Sequence, residues 1–246
     1  MTKAEIESLE RATLVAVAPA EVLEIGSWLV AIDSGTIHRA KSAVPVSHDV
    51  PLNVAQFDEI EQAYSDRGLS AAFRIADVPG LQKVCAELTE RGYRCEQPTL
   101  VKIGAVEAMA TLAEPAEVLS KPDAGWGSVF LGEGFDPVDG ASRVTALSRS
   151  PDAVYGMVRE GDQTFAVGVA AFGDGWASVH GMRTLKSQRG RGHASRILAA
   201  LGSEAKARGL TRVFLQVEEG NPARSLYRRA GFEYGWRYHY WSKTGA

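Results

Sequence analysis

The chain has 246 residues, of which 45% are hydrophobic and 23% charged, ordinary proportions for a globular protein that exclude a disordered, collagen-like or membrane-embedded chain. Its 27 basic and 30 acidic residues leave a formal charge of -3, so no overall field draws it to nucleic acid or anionic lipid, and any anion site must be local. The length suits one large domain or two of ordinary size, and two is the expectation.

In chain order, the residues from Met1 to Glu7 are too charged for a secretory signal. No stretch approaches the ~20 apolar residues of a membrane span. Both point to a cytoplasmic protein without a membrane partner. Ile6, Leu9, Ala12 and Val15 share one face of a helix over Lys3–Val17. Trp28–Ile32 reads as a strand, and Asp33-Ser34-Gly35 as a turn into a second strand around Thr36–Val44. Helices follow at Val54–Arg67 and Gly80–Arg91, with a strand at Ser70–Ile75 between them and Gly92 as a C-terminal cap. A strand covers Pro98–Gly104. Cys85 and Cys95 have no His or Cys at metal-ligand spacing and read as reduced structural thiols, with no metal expected.

Pro115, Pro122, Asp123 and Gly125 punctuate the next segment. The expected organisation is a front domain over 1–113, a linker over 114–127 and a second domain over 128–246. The second half reads as a helix at Pro137–Leu147 and strands at Ala153–Val158, Thr164–Phe172 and Ala177–Leu185. A helix at Gly192–Arg208, a strand at Arg212–Glu218, a helix at Pro222–Ala230 and an aromatic strand complete it. The class is α/β, with two halves of similar content.

Arg189-Gly190-Arg191-Gly192-His193-Ala194 lies between a strand and a helix whose apolar face is Ile197, Leu198, Leu201 and Ala205. Glycines let the backbone approach a ligand closely, and unpaired N–H groups at the helix start hold an anion. Arg189, Arg191 and Arg196 add local positive charge. Downstream, in Asn221-Pro222-Ala223-Arg224-Ser225-Leu226-Tyr227-Arg228-Arg229-Ala230-Gly231-Phe232, Asn221 suits an N-cap, Pro222 the first helical position and Gly231 a left-handed stop.

These two blocks resemble the signatures of the GCN5-related N-acetyltransferases. The first matches Arg/Gln-x-x-Gly-x-Gly/Ala through Arg189, Gly192 and Ala194. The second matches an Asn ahead of a helix that ends Leu-Tyr-x-x-x-Gly-Phe. The spacing from Asn221 to Tyr227 is six residues, one shorter than the family's commoner spacing. The resemblance covers about Thr164–Phe232. It implies tandem domains, each a twisted, mostly antiparallel sheet flanked by helices, and acetyl-coenzyme A as co-substrate.

That co-substrate would be held by backbone at Met182, Arg183 and Thr184, by the loop Arg189, Gly190, Arg191, Gly192, His193 and Ala194, and by Asn221. Gly181 would supply a bulge that opens the sheet. Tyr227 would protonate the departing thiolate as general acid. His180 stands either as general base or as a plain strand histidine, with Glu218 and Glu219 as substitutes. The implied acceptor is an amine of a small molecule or peptide, and the protein a monomer or homodimer.

In the family the acceptor side maps loosely onto Trp126–Leu147, where Phe130, Glu133, Phe135, Asp136 and Asp139 could together hold a cationic amine, although each taken singly reads as a core aromatic or a helix-start acid. Trp176, Trp236, Tyr238, Tyr240 and Trp241 could line the same cavity or simply pack. Residues Gly35 to Pro45 resemble a segment in the front domain of bacterial tandem acetyltransferases. No arginine-glycine loop precedes the linker, so the front domain is expected to be degenerate. An acyl-coenzyme A sensor without turnover is the alternative; nucleic-acid binding through the arginines lacks both net positive charge and aromatic interleaving.

Overall fold

The computed structural model describes residues 1–243. Helix α1 (Lys3–Val17) is opened by a reciprocal cap between Thr2 and Glu5, which satisfies donors that the first turn would otherwise leave unpaired. Strands β1 (Glu21–Ile25) and β2 (Trp28–Ile32) form a hairpin that turns at Gly26, whose φ is 56°. This hairpin precedes the expected one; β2 also pairs antiparallel with the next strand, and Asp33-Ser34-Gly35 lies in the connection between them as expected. Thr36–Val44 is not one strand, however: His38–Lys41 is a 3-10 turn, and only β3 (Ala43–Pro45) is extended. The apolar run alone does not report the 3-10 turn, because Ala40 packs beneath it as a strand residue would.

The front half continues with α2 (Val54–Ser65), β4 (Ala72–Ala76), α3 (Gln82–Glu90) and β5 (Arg94–Ala105). After the short helix α4 (Val106–Ala110), residues 114–127 carry β6 (Glu117–Leu119) and most of α5 (Ala124–Ser128). Helix α6 (Pro137–Leu147) and strands β7 (Ala153–Glu160), β8 (Gln163–Gly173) and β9 (Trp176–Thr184) follow. The chain closes with α7 (His193–Ala207), β10 (Arg212–Glu218), α8 (Arg224–Arg229) and β11 (Glu233–Ser242).

The eleven strands of the described residues form one sheet, in the order β1-β2-β3-β4-β11-β5-β10-β9-β8-β7-β6. Pairing is parallel only at β3–β4 and β9–β10. The last strand, β11, lies between β4 and β5, while β5 pairs with β10. Each half thus lends a strand to the other's part of the sheet. The sheet is covered by helices on both faces, as its mostly buried strands require. A core around Trp28, Phe57, Phe73 and Trp236 fills the front half, and one around Phe165, Ile197, Leu201 and Phe232 fills the other. No helix of the described residues is long and apolar enough to cross a membrane.

Candidate active site

The parallel pair β9–β10 runs through Val213↔Ala177, Phe214↔Ser178 and Leu215↔Val179, and stops there. Beyond it, His180–Thr184 and Gln216–Glu218 face each other without pairing. The cause lies on the other edge of β9, where the register with β8 shifts between Val167/Val169 at Gly181. Gly181 has a φ of 61°, and a Cβ there would stand 2.9 Å from Leu147 Cδ1. The extra residue bends β9 away from β10 and leaves backbone groups free inside the sheet.

The resulting cleft has a volume of about 1020 Å³. His180, Met182, Arg183, Thr184, Arg189, Gly190, Arg191, Gly192, His193, Ala194, Asn221 and Tyr227 all line it. Its arginine-glycine end is built for an anion. Gly190 and Gly192 have φ of 78° and 82°, with open space where a Cβ would stand. Gly192 is the N-cap of α7 and provides no side-chain cap, so the first N–H groups face the cleft with the helix dipole behind them. Arg229 also lines this end, whereas Arg196 does not reach it. Both ring nitrogens of His193 are buried without a hydrogen-bond partner among the described residues.

Asn221 Oδ1 accepts from Ala223 N at 2.9 Å, and α8 begins only at Arg224. The asparagine thus braces the turn ahead of the helix, which starts later than Pro222. Tyr227 is 8% exposed and packs edge-on against Phe232. Burial pushes its phenol up to about 12. His180 is 9% exposed; its Nδ1 lies 3.2 Å from Ser178 Oγ, and the buried Nε2 has no side-chain partner among the described residues. Desolvation, reinforced by the charge of Arg39, lowers its pKa to about 3. The imidazole is neutral at any ordinary pH.

Several cleft residues lie outside the two motif blocks, most of them in the front half. His38 and Arg39 on the 3-10 turn, Gln97 and Thr99 on β5, and Tyr240 on β11 all line the cleft. His38 Nδ1 lies 3.0 Å from Gln97 Oε1, and Gln97 Nε2 donates to Glu218 Oε1 at 2.8 Å. The carbonyl oxygen can only accept, so Nδ1 carries the proton and Nε2 is left with its lone pair. Gln97 has a φ of 51° where β5 slips against β11 between Tyr238/Tyr240. A non-glycine residue in the left-handed region costs about 1–3 kcal/mol, and such residues gather at functional sites. Desolvation and the charges of Lys41, Arg143 and Arg39 lower the pKa of His38 below 6.5.

On the acceptor side, Asp136 and Asp139 are helix-start acids, as each reads when taken singly. Phe130 and Phe135 line the cleft, but Glu133 lines a separate hollow with Gln163 and Lys186. Asp136 caps α6 by accepting from Asp139 N, and Asp139 is held by Arg143 at 2.8 Å and Arg183 at 3.4 Å. Of Trp176, Trp236, Tyr238, Tyr240 and Trp241, only Tyr240 lines the cleft. Trp176 packs against Phe214, and Trp236, Tyr238 and Trp241 lie in the front core. Glu219 faces Arg237 instead of the cleft.

The front half repeats the order strand, loop, helix, strand at β3, α2 and β4, with parallel pairing at Ala43↔Phe73. There the helix start is already capped, since Asn53 accepts from Ala55 N at 3.2 Å. The backbone of His48 lies against Gly80 where an opening would be, and the His48 ring stacks edge-on to Trp236.

The family described as "Probable histone acetyltransferase Rv0428c C-terminal" matches residues 3–241. The "Uncharacterized N-acetyltransferase YobR" of Bacillus subtilis is 28% identical over 226 residues, covering 88% of this chain and 90% of that protein. A GCN5-related N-acetyltransferase from Kribbella flavida shares the fold at a TM-score of 0.72 and 18% identity, over 98% of this chain and 96% of that one. A tandem GNAT protein from the clavulanic acid biosynthesis pathway aligns at a TM-score of 0.60 and 10% identity, over 96% and 94% of the two chains. With its matched family spanning nearly every residue and its sheet opened between two parallel strands, the chain belongs to this family of GCN5-related N-acetyltransferases, which are acyl-coenzyme A-dependent enzymes.

Proposed function

We propose that the protein transfers an acetyl group from acetyl-coenzyme A to an amine by direct attack in a ternary complex, and that the front half is a degenerate acetyltransferase unit that lends walls to the active site. The observation that carries this reading is the β9–β10 opening, bounded by an uncapped α7 at one end and by Tyr227 on its wall. Arg189, Arg191, Arg229 and the first N–H groups of α7 would hold the diphosphate, and the free edge of β9 at Met182–Thr184 the pantetheine arm. Acetyl-coenzyme A supplies an activated thioester.

The chain's own residues supply the proton transfers. Tyr227, protonated up to about pH 12, donates its proton to the sulfur as the C–S bond breaks. The base must take a proton from the attacking amine as the C–N bond forms. His180, with a pKa of about 3, is a poor acceptor at neutral pH, since a base works best when its pKa lies near the working pH. His38 is the better base, because Gln97 fixes its tautomer and Glu218 backs Gln97.

The test is thiol release from acetyl-coenzyme A over a panel of amines, with thermal stabilisation by coenzyme A measured on the same protein. Stabilisation together with amine-dependent thiol release is the expected result. Stabilisation without turnover of any amine favours a coenzyme sensor, and no stabilisation overturns the assignment of the cleft.

A further inference from the structure

The part of the cleft left over after the coenzyme loop is unusually cationic. Arg39, Arg143 and Arg183 line it, from the 3-10 turn, α6 and β9. Arg143 and Arg183 share one carboxylate, Asp139, and the carboxylate that lines the cleft itself, Glu218, is taken by Gln97. Arg39 pairs with no carboxylate among the described residues, although its charge is felt at His38, His180 and Tyr240. Arg183 is stacked 4.4 Å from the Phe135 ring centre and 5.6 Å from that of Phe130, a geometry that fixes the guanidinium plane. Burial and repulsion from Arg143 both disfavour its charged form.

Crowding guanidiniums against aromatic rings with too few counter-charges costs stability unless an anion joins them. The coenzyme's phosphates have their own partners in the loop that ends at the α7 N-terminus, so this second set of cations is free for another ligand. We propose that the acceptor is an amine bearing its own anionic group, a carboxylate or phosphate, which Arg39, Arg143 and Arg183 hold while His38 faces the amine. The inference rests on the acetyltransferase reading and specifies its substrate class. It also gives the front half a part in specificity, since Arg39 lies on the 3-10 turn that precedes β3. A lysine-rich peptide tail, the acceptor suggested by the printed description of the matched family, would bring cations against these arginines and be disfavoured.

The experiment uses the full chain and matched pairs of acceptors. The pairs are the common amino acids against their carboxamides, and O-phosphoethanolamine and amino-sugar phosphates against their unphosphorylated forms, with a lysine-rich peptide alongside. Thiol release gives kcat/KM for each, and calorimetry at saturating coenzyme A gives the affinity of the N-acetylated products. At least one anionic member should exceed its neutral partner roughly 10- to 100-fold, the worth of one charge-assisted hydrogen-bond pair. The preference should reside in KM and recur in product affinity. Arg39→Gln and Arg143→Gln should each draw the ratio toward one. The amino-acid and phosphate arms identify which anion is used.

If neutral members or the lysine-rich peptide match or exceed every anionic partner, the proposal is overturned while the acetyltransferase reading stands. A preference unchanged in both arginine variants also overturns it. Loss of stabilisation by coenzyme A in the wild-type chain would instead defeat the parent reading and this inference with it.

Discussion

His38 and Gln97 meet at 3.0 Å between Nδ1 and Oε1, joining the 3-10 turn of the front half to a bulged residue of β5. The bulge is what aims Gln97 at the cleft, and its φ of 51° is the strain that accompanies this placement. Gln97→Gly should be neutral or stabilising, within about 1 kcal/mol, because glycine adopts the left-handed region freely. The same variant should lower kcat by freeing the His38 ring. Thermal denaturation and steady-state kinetics on one preparation check both signs.

Removing the proposed base by His38→Ala should cut kcat about 10²- to 10⁴-fold. The pH profile gives a sharper test. The His38 pKa lies below 6.5, so the lone pair is available above that range and is lost as pH falls. Wild-type kcat/KM should therefore drop on the acid side of 6.5, and a limb in this position should be missing from the variant. An unaltered acid limb would remove His38 from the base role.

Tyr227→Phe should lower kcat while coenzyme A affinity, read by calorimetry, is retained. Because burial raises the phenol to about 12, its proton remains in place through the alkaline range. Tyr227 should thus contribute no fall in rate as pH rises from 8 to about 10, and such a fall disappearing in the phenylalanine variant would contradict the assignment.

Gly192→Val places a Cβ at a φ of 82° in open cleft space. The left-handed conformation costs about 1–2 kcal/mol for a residue with a side chain, and the added groups obstruct approach to the α7 N-terminus. Coenzyme A binding should weaken by more than the accompanying loss of stability. Equal affinity in the variant would refute the anion cradle.

Away from the cleft, Arg74 and Glu10 form an ion pair at 2.6 Å with side chains 1% and 3% exposed. Arg74 also lies 5.2 Å from the Tyr238 ring centre. Glu10→Gln leaves a buried guanidinium without its counter-charge and should destabilise by about 3–5 kcal/mol. Combining Glu10→Leu with Arg74→Met should recover most of that loss in urea denaturation.

The sequence carried the elements whose signals are local. The apolar face of α1 and the run of strands and helices from Pro137 to Glu218 are legible because their periodicity and end residues lie within one or two turns of chain. The arginine-glycine loop and Tyr227 are legible for the same reason, each being a short contiguous motif. Elements were missed where the strand is short or its apolar pattern weak. β1 is mostly exposed and has little apolar pattern to mark it, and β6 is a three-residue edge strand inside a segment punctuated like a linker.

Tertiary structure decided which residues join Phe130 and Phe135 on the acceptor side. His38, Arg39, Gln97 and Tyr240 reach the cleft because β11 threads between β4 and β5 while β5 pairs with β10. Pairings over such separations depend on which strand edges meet, which no local spacing encodes. Charge state followed the same rule. His180 and His38 are alike in sequence, but one is enclosed by the protein and held to about 3, while the other stays exposed and tied to Gln97. Residue type sets what chemistry is possible; the packing around each residue determines whether its proton can move.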